Sequence, residues 1–113
     1  MVKKEYVPGR GDIVWLNFNP QAGHEQRGKR PAVVISPREY NIKTGLGLFC
    51  PITNKIKDYP FEVKIKNKNI NGAVLADQIK SLDWKTRKIE FIYRISPEKI
   101  DEIIDKILVL LGE

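Results

Sequence analysis

Hydrophobic residues along this chain follow two periodicities, which divide it into a β-rich body and one terminal helix. Ile13-Val14-Trp15-Leu16-Asn17-Phe18 is dense in apolar and β-branched residues. With Gly11-Asp12 before it and Asn19-Pro20 after it, it predicts a first strand. Pro31 to Ile35 is apolar throughout, the pattern of a central strand covered on both faces. Pro31 is expected at its start, where a missing N–H costs least. Ser36-Pro37-Arg38-Glu39 has the form of a helix start, with Ser36 as cap and Glu39 closing a capping box; Thr44-Gly45 soon ends that helix.

Leu46 to Cys50 predicts a third strand broken by Pro51, and Phe61-Glu62-Val63-Lys64-Ile65 alternates as a half-exposed strand should. Asn67 to Gly72 reads as a turn, Ala73 to Ala76 as a buried strand, and Lys88 to Ile92 as one more alternating strand. From Ile100 the period changes: Ile100, Ile103, Ile104, Ile107, Leu108 and Leu111 form a helical stripe, capped by Ser96, opened by Pro97 and stopped near Gly112. Packing on the body or at a dimer contact is the plain role for that stripe. So many short strands point to a small curled barrel in one domain spanning residues 1–113.

Charge adds a direction to this body. The net charge is +6, unevenly placed. From Pro97 onward, Lys99 and Lys106 stand against Glu98, Asp101, Glu102, Asp105 and Glu113, a net −3, which leaves +9 on the first 96 residues. A basic body with an acidic terminal helix suits a polyanion held away from the helix, although surplus surface lysines alone give the same balance. No run of about 18 apolar residues predicts a membrane span. Met1 to Tyr6 lacks the apolar stretch of a signal peptide. Cys50 is the only cysteine, which excludes an internal disulfide and makes the cytoplasm the expected compartment.

The densest chemistry lies in Gly23-His24-Glu25-Gln26-Arg27-Gly28-Lys29-Arg30, at the root of the central strand. One histidine and one cysteine give little to bind a transition metal, and no G-x-S-x-G elbow or glycine-rich phosphate loop is present. Metal-free phosphodiester chemistry needs less from the protein. RNA supplies the 2′-hydroxyl nucleophile; the protein supplies a proton acceptor, a cation for the charge that builds on phosphorus, and donors to hold the phosphate. Glu25, Arg30 and the hydroxyl of Thr53 fit those roles, Arg30 because its planar fork grips two phosphate oxygens. The plainer readings are a surface ion pair for Arg30, a solvated loop acid for Glu25 and a turn residue for Thr53. His24 reads as a loop residue. Trp15 and Trp84 are candidates for stacking on unpaired bases, with core burial the readier role for Trp15.

Taken together, Gly11-Asp12-Ile13-Val14-Trp15, Glu25-Gln26-x-Gly28-x-Arg30-Pro31-Ala32-Val33-Val34-Ile35-Ser36, Pro51-Ile52-Thr53, Tyr59-Pro60-Phe61-Glu62-Val63 and Leu75-Ala76-Asp77-Gln78-Ile79-Lys80-Ser81 resemble the MazF/PemK toxins of toxin–antitoxin systems, in order and over nearly the whole chain. The resemblance implies a mainly β fold, an SH3-like (CcdB/MazF-like) small barrel with a C-terminal amphipathic helix, assembled as a homodimer. It implies a sequence-specific, metal- and cofactor-independent endoribonuclease that cuts single-stranded mRNA, leaving 2′,3′-cyclic phosphate and 5′-hydroxyl ends, and a cognate acidic antitoxin that folds onto the basic body. Arg30 and Thr53 match the catalytic pair, with Glu25 at a third functional position. Gln26, Lys29, Asp77 and Gln78 fall in segments resembling those that line the RNA groove, and Arg27 and Lys80 join them as RNA-binding cations. A gyrase-poisoning toxin resembling CcdB, or an RNA-binding module without activity, are the competing readings.

Overall fold

The structure is a computed structural model and describes residues 5–18, 29–67 and 69–112. Its strands are β1 (Asp12–Asn17), β2 (Lys29–Val34), β3 (Leu46–Thr53), β4 (Glu62–Lys66), β5 (Asn71–Leu75), β6 (Lys80–Asp83) and β7 (Glu90–Arg94). Helix α1 (Arg38–Thr44) joins β2 to β3, a single 3-10 turn (Ala76–Gln78) joins β5 to β6, and α2 (Pro97–Leu110) follows β7. The strands pair antiparallel in the order β4-β5-β3-β2-β1-β7, with β6 added to β3. The result is the expected curled barrel with a terminal helix.

Residue alternation feeds two cores. Ile13, Val33 and Cys50 face one side, where α2 lays down Ile100, Ile103 and Ile107. Val14, Leu16, Ala32, Val34 and Phe49 face the other, where they meet Trp84. Ala32, Val33 and Val34 are all fully buried, as a central strand requires. Each isoleucine of α2 contributes on the order of 1.5–3 kcal/mol by leaving water, so the stripe is the helix's anchor. The Ser96 hydroxyl accepts from the Lys99 N–H and caps α2 as expected. No helix among the described residues is long and apolar enough to cross a membrane.

Several sequence-based expectations are corrected. Pro31 is the third residue of β2 rather than its first. It pairs with Trp15 on β1, while pairing to β3 begins only at Ala32, so one edge at Pro31 has no ladder to lose. Pro51 does not break β3. The far edge of β3 changes partner there: β6 ends opposite Phe49 and β5 begins opposite Ile52, and Pro51 sits in the gap. Strand β5 begins inside the expected turn, at Asn71, and β7 starts two residues late, at Glu90. Short β6, Lys-Ser-Leu-Asp, carries no apolar run and was not foreseen. The two tryptophans exchange their expected environments: Trp84 is buried, and Trp15 is 36% exposed.

Ser36 does not cap α1 either. Pro37 holds the cap position without a side-chain bond, so no capping box forms. The Ser36 hydroxyl instead donates to the Asn41 Oδ1 (2.5 Å) and accepts from the Leu48 N–H (2.8 Å). Asn41 is fully buried. Its amide donates to the Pro8 (2.8 Å) and Ser36 (3.1 Å) carbonyls, and its own carbonyl accepts from Trp84 Nε1 (3.1 Å) and from the N–H of Gly45 (2.9 Å). Gly45, at φ 73°, closes α1 in the left-handed conformation that favours glycine. The Asn41 side chain thus joins the N-terminal segment to Ser36 and, through the Ser36 hydroxyl, to β3, while its backbone carbonyl holds the β6–β7 connection. Replacing it leaves buried partners unpaired, at about 1–3 kcal/mol each. Asn41→Ala is expected to lower unfolding free energy by about 3 kcal/mol, seen as a lower urea midpoint at unchanged slope; a loss below about 0.5 kcal/mol would contradict the hub.

Candidate functional site: a split between two strands

Strands β2 and β3 pair as Val34↔Phe49, Val33↔Cys50 and Ala32↔Pro51. Carried on by two residues, the same register sets Arg30 opposite Thr53. Pairing between the two strands ends at Ala32↔Pro51; beyond it Lys29 to Pro31 keep only their pairing with β1 on the other edge of β2, and Ile52 and Thr53 keep only their pairing with β5 on the far edge of β3. The two strands therefore part company at Arg30 and Thr53, and their backbone groups there are not consumed by each other. Opposed residues of an antiparallel pair share a face, so Arg30 and Thr53 point to the face that carries Ala32, Val34 and Phe49.

Arg30 is exposed, and among the described residues no carboxylate lies within ion-pair distance of it. Thr53 is half-buried at the end of β3. Its Oγ1 accepts from the Lys55 N–H at 3.1 Å, which orients the hydroxyl and leaves its own proton to donate outward. Gly72 fixes where Thr53 lies. A Cβ there would stand 2.2 Å from the Thr53 carbonyl oxygen and 3.0 Å from its carbonyl carbon, so only glycine lets β5 come this close.

The remaining candidate residues separate. Lys80 pairs with Phe49 and so shares the face of Arg30 and Thr53; its Nζ lies 5.8 Å from the Phe18 ring centroid. Lys29, one residue from Arg30, points to the opposite face of β2, where its Nζ meets the Glu90 Oε1 at 2.6 Å. Asp77 and Gln78 are exposed on the 3-10 turn after β5, and the Asp77 Oδ1 accepts from the Tyr59 hydroxyl at 2.6 Å. Glu25, Gln26, Arg27 and His24 lie outside the described residues.

Beyond the motif at Tyr59-Pro60-Phe61, the sequence assigns no role to the segment that follows Thr53, residues 54–61. Glu62, 9% exposed, turns its carboxylate onto the Lys57 and Asp58 N–H groups at 2.9–3.2 Å. Asp58 takes φ 60° and pairs with Lys64 at 2.7 Å. From α2, the Lys106 Nζ donates to the Pro60 carbonyl at 2.7 Å. The Tyr59 hydroxyl is pushed up to about 12, first by its bond to Asp77, and so stays a protonated donor at neutral pH. The alternation of Glu62 in Phe61–Ile65 was the only available signal, and it read as a solvent-facing position. Cys50 is buried, and burial pushes its thiol up to about 12, which leaves it a poor nucleophile. Among the described residues no three His, Cys, Asp or Glu side chains group as a metal ion requires.

Comparison with known proteins places this arrangement in a family. The model of PemK-like, MazF-like toxins of type II toxin–antitoxin systems matches residues 9–111. The Escherichia coli K12 protein named endoribonuclease toxin MazF is 47% identical over 107 residues, covering 95% of this chain and 96% of that protein. The endoribonuclease toxin ChpB of the same strain is 33% identical over 92% of this chain and 93% of its own length. Among solved structures, MazF from Deinococcus radiodurans superposes with a TM-score of 0.87 at 48% identity, covering 96% of this chain and all of that one. A chain of a MazE–MazF structure from the same organism gives 0.85 at 42% identity, covering 96% and 98%. On the family model's match and on these identities over almost its full length, the chain belongs to the PemK-like, MazF-like toxins of type II toxin–antitoxin systems.

Proposed function

We propose that this chain is an endoribonuclease toxin that cuts single-stranded mRNA without a metal ion, with Arg30 and Thr53 acting on one phosphate. The observation that carries the reading is the β2–β3 register, which, carried two residues past its last pair, brings Arg30 and Thr53 to opposed positions. The RNA 2′-oxygen attacks phosphorus, the bond to the 5′-oxygen breaks, and the products are a 2′,3′-cyclic phosphate and a 5′-hydroxyl. Arg30 holds the charge that develops on the phosphoryl oxygens. A planar, charged fork of N–H donors with no acceptor suits that role better than proton transfer. The Thr53 hydroxyl donates to a phosphoryl oxygen, Glu25 or a water accepts the 2′-proton, and the departing 5′-oxygen takes its proton from water. Lys80, on the same face, positions RNA with Gln26, Arg27, Asp77 and Gln78, and Lys29, held to Glu90 on the opposite face of β2, steers RNA from there.

The whole chain, residues 1–113, acts as one domain, pairs as a homodimer and works in the cytoplasm, where its mRNA substrate is. Its cognate antitoxin is acidic and covers the +9 body, so their complex weakens with salt. The solved MazE–MazF structures support such a partner.

Incubating the purified protein with a single-stranded RNA in EDTA and mapping the ends tests the reaction. Discrete cuts with cyclic phosphate and 5′-hydroxyl ends are expected, and a 2′-deoxyribose at the cut position should block them. RNA retained uncut, or cleavage of the deoxy substrate, would overturn the reading. Arg30→Ala and Thr53→Ala are each expected to slow cleavage by about a thousandfold, the loss of one preorganised donor, with circular dichroism unchanged; near-wild-type rates from a folded Arg30→Ala would remove that residue from the mechanism. Gly72→Ala is expected to slow cleavage at least about tenfold and cost roughly 1–3 kcal/mol of stability, because the new methyl displaces the Thr53 backbone. Wild-type rates and urea midpoint in this variant would show that Thr53 does not depend on the close approach of β5.

A further inference from the structure

The segment 54–61 leads away from Thr53 without regular secondary structure, yet it is held at nearly every residue. Glu62 fixes Lys57 and Asp58, and Lys106 fixes Pro60. Its attachment to the 3-10 turn is made by two bonds: the Ala76 N–H to the Phe61 carbonyl at 3.0 Å, and the Tyr59 hydroxyl to Asp77 at 2.6 Å. Asp77 is thus already engaged through one oxygen, and an ionised carboxylate offers a phosphate no donor and like charge. Tyr59 is half-exposed and lines a cleft of about 480 Å³ against Lys99, Glu102 and Lys106 of α2. Losing its hydroxyl removes a bond without opening the core.

We infer that Tyr59 and Asp77 are a pair of positioning residues: their hydrogen bond braces the segment after Thr53 against the 3-10 turn, and Asp77 serves cleavage through Tyr59 instead of by touching RNA. This rests on the nuclease reading and revises one part of it, the expected contact between Asp77 and RNA. The brace has a signature that direct contact lacks. Either partner removed leaves the same loosened segment, so the second removal adds nothing. An amide in place of the carboxylate still accepts from the Tyr59 hydroxyl.

The test compares the wild type, Tyr59→Phe, Asp77→Ala, Asp77→Asn and the Tyr59→Phe/Asp77→Ala double variant, by steady-state cleavage of a single-stranded RNA oligonucleotide and by amide hydrogen exchange. Tyr59→Phe and Asp77→Ala are each expected to lower kcat about three- to tenfold, the range of one net hydrogen bond, with KM within twofold. The double variant should match the singles, and Asp77→Asn should stay within twofold of wild type. Exchange at residues 57–59 and 61 should rise equally in both single variants and no further in the double. Multiplying effects, or an Asp77→Ala defect confined to KM, would overturn the brace in favour of direct RNA contact. Unchanged exchange in Tyr59→Phe would overturn it whether or not the protein cuts RNA. If the wild type cuts no RNA while exchange behaves as expected, the nuclease reading fails and with it the brace's claim on kcat.

Discussion

Strand β3 belongs to two sheets at once, and the rest of the molecule is arranged around that fact. Along Leu46 to Phe49 its far edge is paired with β6; at Ile52 and Thr53 the same edge is paired with β5. A strand cannot change neighbours without a break in its ladder, and Pro51, which has no N–H to leave unpaired, stands at the break. On the near edge, β2 follows β3 only as far as Ala32↔Pro51. Beyond that point β2 and β3 no longer pair with each other, and the next-but-one positions in their register are Arg30 and Thr53. The proposed phosphate site is thus a consequence of sheet topology: a cation and a hydroxyl come from strands that are neighbours by register and strangers by hydrogen bonding.

The rigidity behind this opening is as relevant as the opening itself. Stabilising a transition state by fixed charges and donors works only if those groups are not reorganised at the moment of reaction. Arg30 is rooted in a strand whose next residues, Ala32 to Val34, are fully buried. Thr53 is located by the close approach of Gly72 and oriented by the Lys55 N–H. The segment beyond it is held from three sides, by Glu62, by the 3-10 turn and by Lys106 of α2. Helix α2, acidic overall, thus contributes through Lys106 to the segment that follows Thr53.

Elements whose pattern is self-contained were legible in the sequence. The stripe Ile100, Ile103, Ile107 is a local statement of helix and buried face, and the apolar run of β2 a local statement of centrality. What escaped depends on neighbours distant in sequence. Whether a proline breaks a strand depends on which edge is already unpaired, which neither Pro31 nor Pro51 announces. Ser36 looks like a cap until Asn41, five residues on, claims its hydroxyl. Trp15 and Trp84 changed places because hydrophobicity does not say which side of a strand will find cover. At the site, Arg30 and Thr53 were singled out from residue chemistry and family resemblance, and the β2–β3 register supplies the geometric relation between them. Alternation puts Lys29 and Arg30 on opposite faces only once both belong to β2, which the sequence starts at Pro31, and the bond from Tyr59 to Asp77 spans 18 positions with no local signal.

The central claim is that Arg30 and Thr53 engage the same phosphate across the split. It is tested most directly by a crystal structure of the wild-type protein with a single-stranded RNA made uncleavable by one 2′-deoxyribose at the cut position. The account predicts the phosphate following that sugar in the opening between β2 and β3, with the Arg30 guanidinium and the Thr53 Oγ1 both within about 3.2 Å of its oxygens. A scissile phosphate seated elsewhere, or held by one of the two residues while the other faces away, would contradict it.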